Sequence, residues 1–423
     1  MSDKIDKQIL RELRIFDFCS QNLWPLIRPL FKGKINPRCP RCTISSAVPG
    51  VELVKEGGCN LCIDFDNRSD QSEDVWVEKY LTHQRKEFDE IVKSYEGKGR
   101  RRYDAVVLFS GGKDSTYMLD RLTREYPGLR ILLMTWDNGF YSSLALENVK
   151  EIVKKLDLDH IVYKPKSSVY KSLYRYTLKN TGGKGCYQTV DRFDGSLNQF
   201  LGCHFAYEMD IPLVLAGVDF AQEMIMQHNT WFEWPKEDMA TRVYVDRMER
   251  ISGLKIADVF SEEDQKLFWD GTDKDKDRLP RYLVPLAVWR PDKGKVKHEL
   301  AAKGLTPARD LSPVVTNNQV LTVMGAVDFQ TIGYFGFEPE FAEMIRNREN
   351  ELVYWKNLFE YWEFCLRNKT MRKMMTKKVL KKLGISLHDL GFAVHNAKGR
   401  MEDRKGGSSF ALRAMEDNRV EEG

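Results

Sequence analysis

Residues 110–115 read SGGKDS and combine the residue types that bind phosphate groups in proteins. Glycine lets backbone N–H groups approach an anion closely, hydroxyl side chains donate hydrogen bonds, and lysine adds positive charge. The spacing differs from the G-x4-G-K-[ST] of a Walker A loop and from the G-x-G-x-x-G of a dinucleotide-binding turn. We therefore predict a phosphate site of another kind; the alternative is a polar turn that binds nothing. The candidate ligands are Ser110, Gly111, Gly112, Lys113, Asp114 and Ser115.

Four of the eight cysteines form two C-x2-C pairs, Cys39 with Cys42 and Cys59 with Cys62. Each pair directs two thiolates at one ion, and the loop between the pairs brings them together as a tetrahedral set. A closed set of four cysteines leaves no open coordination position, so we predict structural rather than catalytic Zn²⁺. The alternatives are four unligated thiols and a redox use of the pairs.

The sequence predicts a strand before SGGKDS, a turn at that segment and a helix after it. The same order of strand, turn and helix recurs along the chain. Continuous apolar strands that alternate with amphipathic helices are typical of a parallel sheet covered on both faces. We therefore predict an α/β fold. The predicted strands are AVVLFS (105–110), RILLMTW (130–136), HIVYKP (160–165) and IPLVLAGV (211–218), and the predicted helices between them are 114–126 and 144–156.

Changes of composition divide the chain of 423 residues into predicted modules. In order these are an N-terminal helical segment (1–35), a four-cysteine zinc module (36–66), a helix with a basic linker (67–102), the α/β domain (103–340), a helical extension (341–398) and a polar tail expected to be mobile (399–423). The basic run 367–382 has helical spacing, so a solvated helix face is favoured over contact with a polyanion.

The segment 110–115 matches SGGxDS, and on that motif the chain resembles the PP-loop ATP pyrophosphatase superfamily, whose core is adenine nucleotide alpha hydrolase-like. The resemblance implies that the segment holds the β- and γ-phosphates of ATP, with Mg²⁺ bridging them. A substrate oxygen would attack the α-phosphorus, pyrophosphate would leave, and ammonia, an amine or sulfur would displace AMP. It also implies that Lys113 and Asp114 act in catalysis.

Two later segments resemble other parts of the ATP site of that superfamily. MTWDNGF (134–140) ends a strand where the adenine usually lies, which makes Thr135 and Trp136 candidates; core packing of Trp136 is the alternative. LAGVDFAQE (215–223) resembles the late strand end near the phosphates. It supplies Gly217, Asp219 and Glu223 as candidates, against solvated loop acids as the alternative.

The order of the parts is similar to that of the N-acetyl sugar amidotransferases of surface-polysaccharide (lipopolysaccharide) biosynthesis. The likeness covers residues 39–348 and includes SPVVTNNQVLTVMGAVDFQTIGYFGFEPEFAEMIRNR (312–348). It implies conversion of an acetamido group on a nucleotide-linked N-acetyl sugar into an acetamidino group, with ammonia from a separate glutaminase subunit. Two positions depart from the family pattern, because Thr189 and Asn318 stand where cysteines are expected, and these departures put the substrate in question.

Cys186 and Cys203 raise a second possibility. They flank a polar, glycine-containing segment expected to be a loop, and a converging pair could carry and resolve a persulfide. The hypothesis that follows is an ATP-dependent sulfurtransferase for tRNA or a small molecule; the alternative is two buried, inert thiols. His204 is expected to be structural rather than a general base. Asp191, Arg192 and Asp194 either reach the substrate from this segment or form a solvated cluster.

A third hypothesis is a nucleotide- and zinc-binding module without turnover, although an intact SGGKDS speaks against it. The chain has 66 lysine and arginine residues and 62 acidic residues, so its net charge does not indicate nucleic acid as a required partner. Nucleic acid is expected as a partner only under the thiolation hypothesis. The first residues, MSDKIDKQILRELRIFDF, are charged and lack the apolar run of a signal peptide, and no later stretch approaches the length of a membrane span. We expect a cytoplasmic enzyme with no membrane partner; a homo-oligomer is left open.

Overall fold

A computed structural model of the chain describes residues 2–54, 57–67, 71–218, 232–305, 318–348 and 351–392. The predicted tail, and the candidates Asp219 and Glu223, lie outside these residues. The strands are β1 (Leu53–Val54), β2 (Gly58–Cys59), β3 (Ala105–Leu108), β4 (Ile131–Trp136), β5 (Asp159–Tyr163), β6 (Leu213–Ala216), β7 (Glu233–Trp234) and β8 (Arg281–Leu283).

Helices occupy most of the remaining described chain. They are α1 (Ser2–Phe18), α2 (Trp24–Phe31), α3 (Asn60–Asn67), α4 (Gln71–Ser94), α5 (Lys113–Glu125), α6 (Ser143–Leu156), α7 (Ser167–Lys179), α8 (Arg192–Glu208), α9 (Lys236–Met239), α10 (Val243–Ser252), α11 (Ile256–Val259), α12 (Glu262–Gln265), α13 (Pro285–Trp289), α14 (Lys293–Ala302), α15 (Leu321–Thr331), α16 (Glu338–Arg346), α17 (Leu352–Arg367) and α18 (Lys369–Leu383).

The described residues group into two compact units. The sheet unit comprises those within Met1–Leu10, Gln71–Gly182 and Gln188–Gln319. The cysteine unit comprises those within 11–70, 183–187 and 320–423. Among the described helices, none combines the length and the apolar composition that a bilayer crossing requires.

The sheet unit contains a sheet of strand order β5-β4-β3-β6-β8-β7. The first five are parallel in that order and only β7, at the edge, runs antiparallel. β4 and β6 are buried along their whole length, as expected for strands with helices on both faces. The predicted α/β fold with a parallel sheet is therefore confirmed.

The chain leaves β3 toward β4 and β5 on one side and returns to β6 and β8 on the other. This reversal creates a crevice outside the carboxyl ends of the central strands, which is where open α/β sheets bind ligands. The SGGKDS segment begins two residues after β3, at this crevice.

The segment expected to be a loop between Cys186 and Cys203 is mostly helix α8 instead. Phe193, Leu197 and Phe200 recur at helical spacing and are fully buried. A glycine-containing segment is often a loop. Gly202, however, allows α8 to pack closely on β3, because a Cβ at that position would lie 2.7 Å from Leu108 Cδ2. Strands β7 and β8 were not predicted, since each has only two or three residues and little periodicity.

The cysteine unit combines the short β1–β2 hairpin with the helical region that the sequence predicts after residue 340. The buried side chain of Arg38 joins them, donating to Glu338 over 2.9 Å and to Glu363 over 3.1 Å. Both carboxylates are inaccessible to solvent. Aromatic side chains fill the core around this ion pair, with the rings of Phe335 and Trp362 4.7 Å apart.

Candidate functional site

The SGGKDS segment forms the turn between β3 and α5. Ser110 Oγ lies 3.0 Å from Ser115 Oγ, and Ser115 Oγ donates to the Gly112 carbonyl oxygen over 3.1 Å. Gly112 precedes the helix, and no side chain caps the first turn. Uncapped first-turn N–H groups and the positive end of the helix dipole both favour an anion. The turn therefore has the geometry of a phosphate site.

Two glycines are placed where a side chain would not fit. Gly111 has a φ of +72°, and a Cβ there would lie 2.5 Å from Val149 Cγ2. Gly217 directly follows β6, and a Cβ there would lie 2.9 Å from the Cα of Ser115. Gly111 lets the turn pack against Val149 of α6, and Gly217 lets the end of β6 lie beside Ser115 of the SGGKDS segment.

Lys113 and Asp114 begin α5 and keep part of their side chains in contact with solvent. Lys113 Nζ lies 3.8 Å from Asp114 Oδ1, and the two side chains are 29% and 38% exposed. This spacing is too long for a firm hydrogen bond, so both groups are free to reorient toward a ligand.

Thr135 and Trp136, the adenine candidates, lie at the end of β4 and are buried. Thr135 Oγ1 donates to the Phe109 carbonyl oxygen over 2.7 Å, which ties the ends of β4 and β3 together. The Trp136 ring stacks on Tyr163 with centroids 4.8 Å apart, and its indole N–H donates to the hydroxyl of Tyr170. At the end of β4, both side chains thus already contact other groups of the protein.

A polar network, not predicted as a unit, lies beyond the end of β4; Tyr174 and Asn138 are buried, and Asp194 and Asn318 are half-buried. Tyr174 in α7 donates to Asp194 Oδ2 in α8 over 2.9 Å. Asn138 and Asn318 both donate to the Tyr174 hydroxyl, over 3.0 and 2.7 Å. Asn318 also lies 3.4 Å from Asp194 Oδ2. Of these residues the sequence had flagged Asp194 as a possible substrate contact and Asn318 as a departure from the family pattern.

Burial is the main cause of the shifted pKa values in this network. Burial raises the pKa of Asp194 to about 6, and the hydrogen bonds from Tyr174, Asn138 and Asn318 oppose that rise only in part. Burial, followed by the charge of Asp194, also raises the pKa of Tyr174 well above its usual value. A carboxyl group that titrates near neutrality beside a ligand crevice is a common feature of functional sites.

The sulfur-transfer candidates are both buried. Cys203 lies within α8 with no exposed surface, and burial raises the pKa of its thiol strongly. Cys186 is equally inaccessible, and its Sγ lies 3.6 Å from the Met324 carbonyl oxygen. His204 Nε2 lies 2.8 Å from the Phe268 carbonyl oxygen, and burial lowers its pKa, as expected for a structural histidine.

The four cysteines of the C-x2-C pairs converge, as the sequence predicted. All four are buried, and their Sγ atoms lie within 4.8 Å of one another. Sγ–Sγ separations are 3.7 Å both for Cys39–Cys62 and for Cys42–Cys59. Tetrahedral Zn–S bonds of about 2.3 Å require sulfurs roughly 3.8 Å apart. The set therefore fits a metal ion with four thiolate ligands; across the described residues no other group of three metal-ligating side chains occurs.

No family model matches the sequence, and no curated protein matches it. Among solved structures the chain is similar to the U34-tRNA thiolase NcsA from Methanococcus maripaludis, determined with its [4Fe-4S] cluster. The similarity covers 67% of this chain and 80% of the thiolase chain, at 13% identity and a TM-score of 0.31. A TM-score of that size establishes neither a shared fold nor a shared activity.

Proposed function

We propose that this chain is an ATP-dependent enzyme that adenylates an oxygen of its acceptor and releases pyrophosphate. The observation that supports this most directly is the uncapped first turn of α5 with Gly111 in the left-handed region, at the carboxyl end of the central strand. The resemblance of SGGKDS to PP-loops favours the β- and γ-phosphates of ATP as the occupants. AMP and pyrophosphate, not ADP, are then the expected products.

The residues of the turn have separate roles under this proposal. Backbone N–H groups at Gly111 and Gly112 and the hydroxyls of Ser110 and Ser115 hold the phosphate oxygens. Lys113 neutralises the negative charge that grows on the departing pyrophosphate. Asp114, at the start of α5, would hold a cation beside the phosphates, and Mg²⁺ bound there would supply Lewis acidity.

The acceptor that we propose is an acetamido group on a nucleotide-linked N-acetyl sugar. An amide oxygen is a poor leaving group, and adenylation turns it into a good one because AMP leaves readily. Ammonia then displaces AMP and gives an amidine. The support for this acceptor is the resemblance of residues 39–348 to N-acetyl sugar amidotransferases, whose ammonia comes from a separate glutaminase subunit.

Nitrogen is favoured over sulfur by the burial of the candidate thiols. A persulfide carrier needs an accessible thiol with substantial thiolate character. Cys186 and Cys203 have no exposed surface, and the pKa of Cys203 is raised by burial. Neither cysteine meets the requirement in this structure.

For the four-cysteine set we propose structural Zn²⁺. The closed thiolate set, the buried position and the Sγ spacing support zinc. Iron bound by the same thiolates is the competing assignment, and elemental analysis of the purified protein distinguishes the two metals.

The test is a product assay with ATP, Mg²⁺ and a panel of UDP-N-acetyl sugars, supplied with either ammonium chloride or sulfide. Replacing the acceptor oxygen by NH lowers the product mass by about 1 Da, and replacing it by sulfur raises the mass by about 16 Da. We expect AMP, pyrophosphate and the lighter product. Formation of ADP would refute adenylation, whereas the heavier product, lost in Cys186→Ser and Cys203→Ser, would establish sulfur transfer.

A further inference from the structure

One carboxylate oxygen in the sheet unit lacks a partner although it is buried. Asp194 Oδ2 accepts from Tyr174, whereas Asp194 Oδ1 has no hydrogen-bond partner. Within the part of the chain that the structure describes, the donors to Asp194 are all neutral groups. A buried carboxylate oxygen without a donor is costly, so such a group needs an explanation, and a missing ligand is one.

Aromatic rings surround this carboxylate. Tyr170 and Tyr174 lie on the same face of α7, with ring centroids 5.9 Å apart. Tyr141 and Tyr170 lie close enough that the charge of Asp194, after burial, raises the pKa of both hydroxyls. Asp137, whose charge also acts on Tyr141 and Tyr170, is paired with Lys164 over 2.6 Å. A carboxylate among tyrosine rings is the chemistry that recognises ammonium and primary amines.

The polar network around Asp194 lies at the same edge of the sheet as the SGGKDS turn. Asn138 follows β4 by two residues, and β4 is the neighbour of β3. Gly202 of α8 packs on Leu108 at the carboxyl end of β3. Asp194 is eight residues earlier in the same helix, about 12 Å along its axis. It therefore lies near the start of α8, beyond the ends of the strands.

We propose that Asp194, with Tyr141, Tyr170 and Tyr174, binds the nitrogen nucleophile of the reaction as ammonium or a primary ammonium group, and that Asp194 removes one proton from it. The inference rests on the proposed function and adds the site of the second substrate. Ammonium has no lone pair and cannot attack, so a proton acceptor at its binding site is required.

The proton balance of the step is as follows. Ammonium transfers one proton to Asp194 Oδ1 and becomes ammonia. The nitrogen lone pair forms a bond to the carbon of the adenylated acceptor, and the C–O bond breaks with its electron pair on AMP. The amidinium product keeps the remaining protons of ammonia, and Asp194 returns its proton to solvent. No oxidant or reductant is needed.

The experiment compares Asp194→Asn with Asp246→Asn. Asparagine keeps the shape of the side chain and removes the charge; Asp246 is 65% exposed in α10 and serves as the matched control. Rates are measured against ammonium chloride concentration from pH 5 to 8 with the UDP-N-acetyl sugar that proves active. We expect the KM for ammonium to rise at least tenfold in Asp194→Asn only, and the fall in rate below pH 6 to disappear.

Two further measurements separate this proposal from the proposed function. Acceptor-dependent exchange of labelled pyrophosphate into ATP reports adenylation alone, and it should be unchanged in Asp194→Asn. A rise in the KM for the sugar, or loss of exchange, would place Asp194 at the acceptor and overturn the inference while adenylation stands. Without acceptor, ammonium chloride should raise the Tm of wild type and Asp246→Asn above that in sodium or potassium chloride; an equal rise in Asp194→Asn would also overturn it.

Discussion

At the scale of single residues, the ionised form of Asp194 lowers the free energy of unfolding. Its pKa is about 6 in the folded chain against a usual value of 3.8, because burial disfavours the charged form. The native state therefore binds a proton more tightly than the unfolded state between these pH values. Protonated Asp194 therefore adds to the free energy of unfolding below pH 4. This contribution, about 3 kcal/mol in all, is lost as the pH rises through 6. Residues retained at such a cost are typical of functional sites.

Asp194→Asn is predicted to stabilise the protein at pH 8 by about 2 kcal/mol, since it removes the buried charge and keeps an oxygen for Tyr174. At pH 4 the difference from wild type should be close to zero, because Asp194 is then protonated. Urea unfolding at both pH values measures it. Equal effects at pH 4 and pH 8 would show that the carboxylate is not held at a raised pKa.

Lys113→Ala is predicted to lower kcat/KM for ATP by about 100-fold or more, because no other side chain of the SGGKDS segment carries a positive charge. Its Tm should remain within a few degrees of wild type, since the Lys113 side chain is 29% exposed and only loosely paired. Lys150→Ala, at an exposed position of α6, is the control. Loss of activity in both variants would argue against a specific role for Lys113.

At the scale of elements, the geometry of the SGGKDS turn depends on how closely β6, β3 and α5 approach one another. Gly217 after β6 lies against Ser115 at the start of α5, and Thr135 ties β4 to the end of β3. These contacts are between backbone or short side chains, so they transmit small changes of volume directly to the phosphate turn.

Gly217→Ala is predicted to weaken ATP binding about tenfold or more and to destabilise the protein by about 1–3 kcal/mol. The added Cβ would lie 2.9 Å from Ser115 Cα, so the start of α5 must shift. Gly33→Ala, which meets no atom within 4 Å, is the matched control. Isothermal titration with a non-hydrolysable ATP analogue and thermal unfolding measure the two effects; unchanged affinity would exclude this contact from the phosphate site.

Arg38 illustrates the same dependence in the cysteine unit. Arg38→Met is predicted to destabilise that unit by about 3–5 kcal/mol, since the inaccessible Glu338 would keep its charge without its buried cation and Glu363 would keep only its pair with the partly exposed Arg367. Arg41→Met removes an exposed pair with Asp66 and should have little effect on stability, because solvent screens an exposed pair. Denaturant unfolding of both variants provides the comparison, and similar losses would contradict the role given to burial.

At the scale of the whole molecule, two compact units have different sources of stability. The sheet unit has an extended parallel sheet with helices, whereas the hairpin of the cysteine unit has strands of only two residues each. Strands that short form little structure without help, so a bound metal is expected to organise the hairpin.

Cys59→Ser is therefore predicted to lose stoichiometric metal and to lower the Tm of one of two unfolding steps, leaving the other unchanged. Cys19→Ser, outside the four-cysteine set, should retain the metal and both steps. Elemental analysis and calorimetry measure these outcomes. Full metal content in Cys59→Ser would show that the ion is held elsewhere.

The sequence by itself determined the local parts of this protein. Apolar runs placed β3, β4, β5 and β6 within two residues or so of their observed bounds, and the glycine turn and cysteine spacing were correctly located. These features depend on neighbours within a few positions, where steric limits and burial patterns act directly. Helix α8 was missed because Gly202 allows close packing against Leu108 of β3 and does not mark a loop.

Only the tertiary structure decided which polar groups meet. Asp194, Tyr174 and Asn318 come from separate segments, with up to 144 positions between bonded partners. No periodicity encodes such a meeting, since it depends on how the sheet orders its strands and on which helices cover each edge. Burial then shifts the pKa of Asp194 and encloses Cys186 and Cys203, so the protonation and accessibility of these groups are properties of the folded chain and not of its sequence pattern.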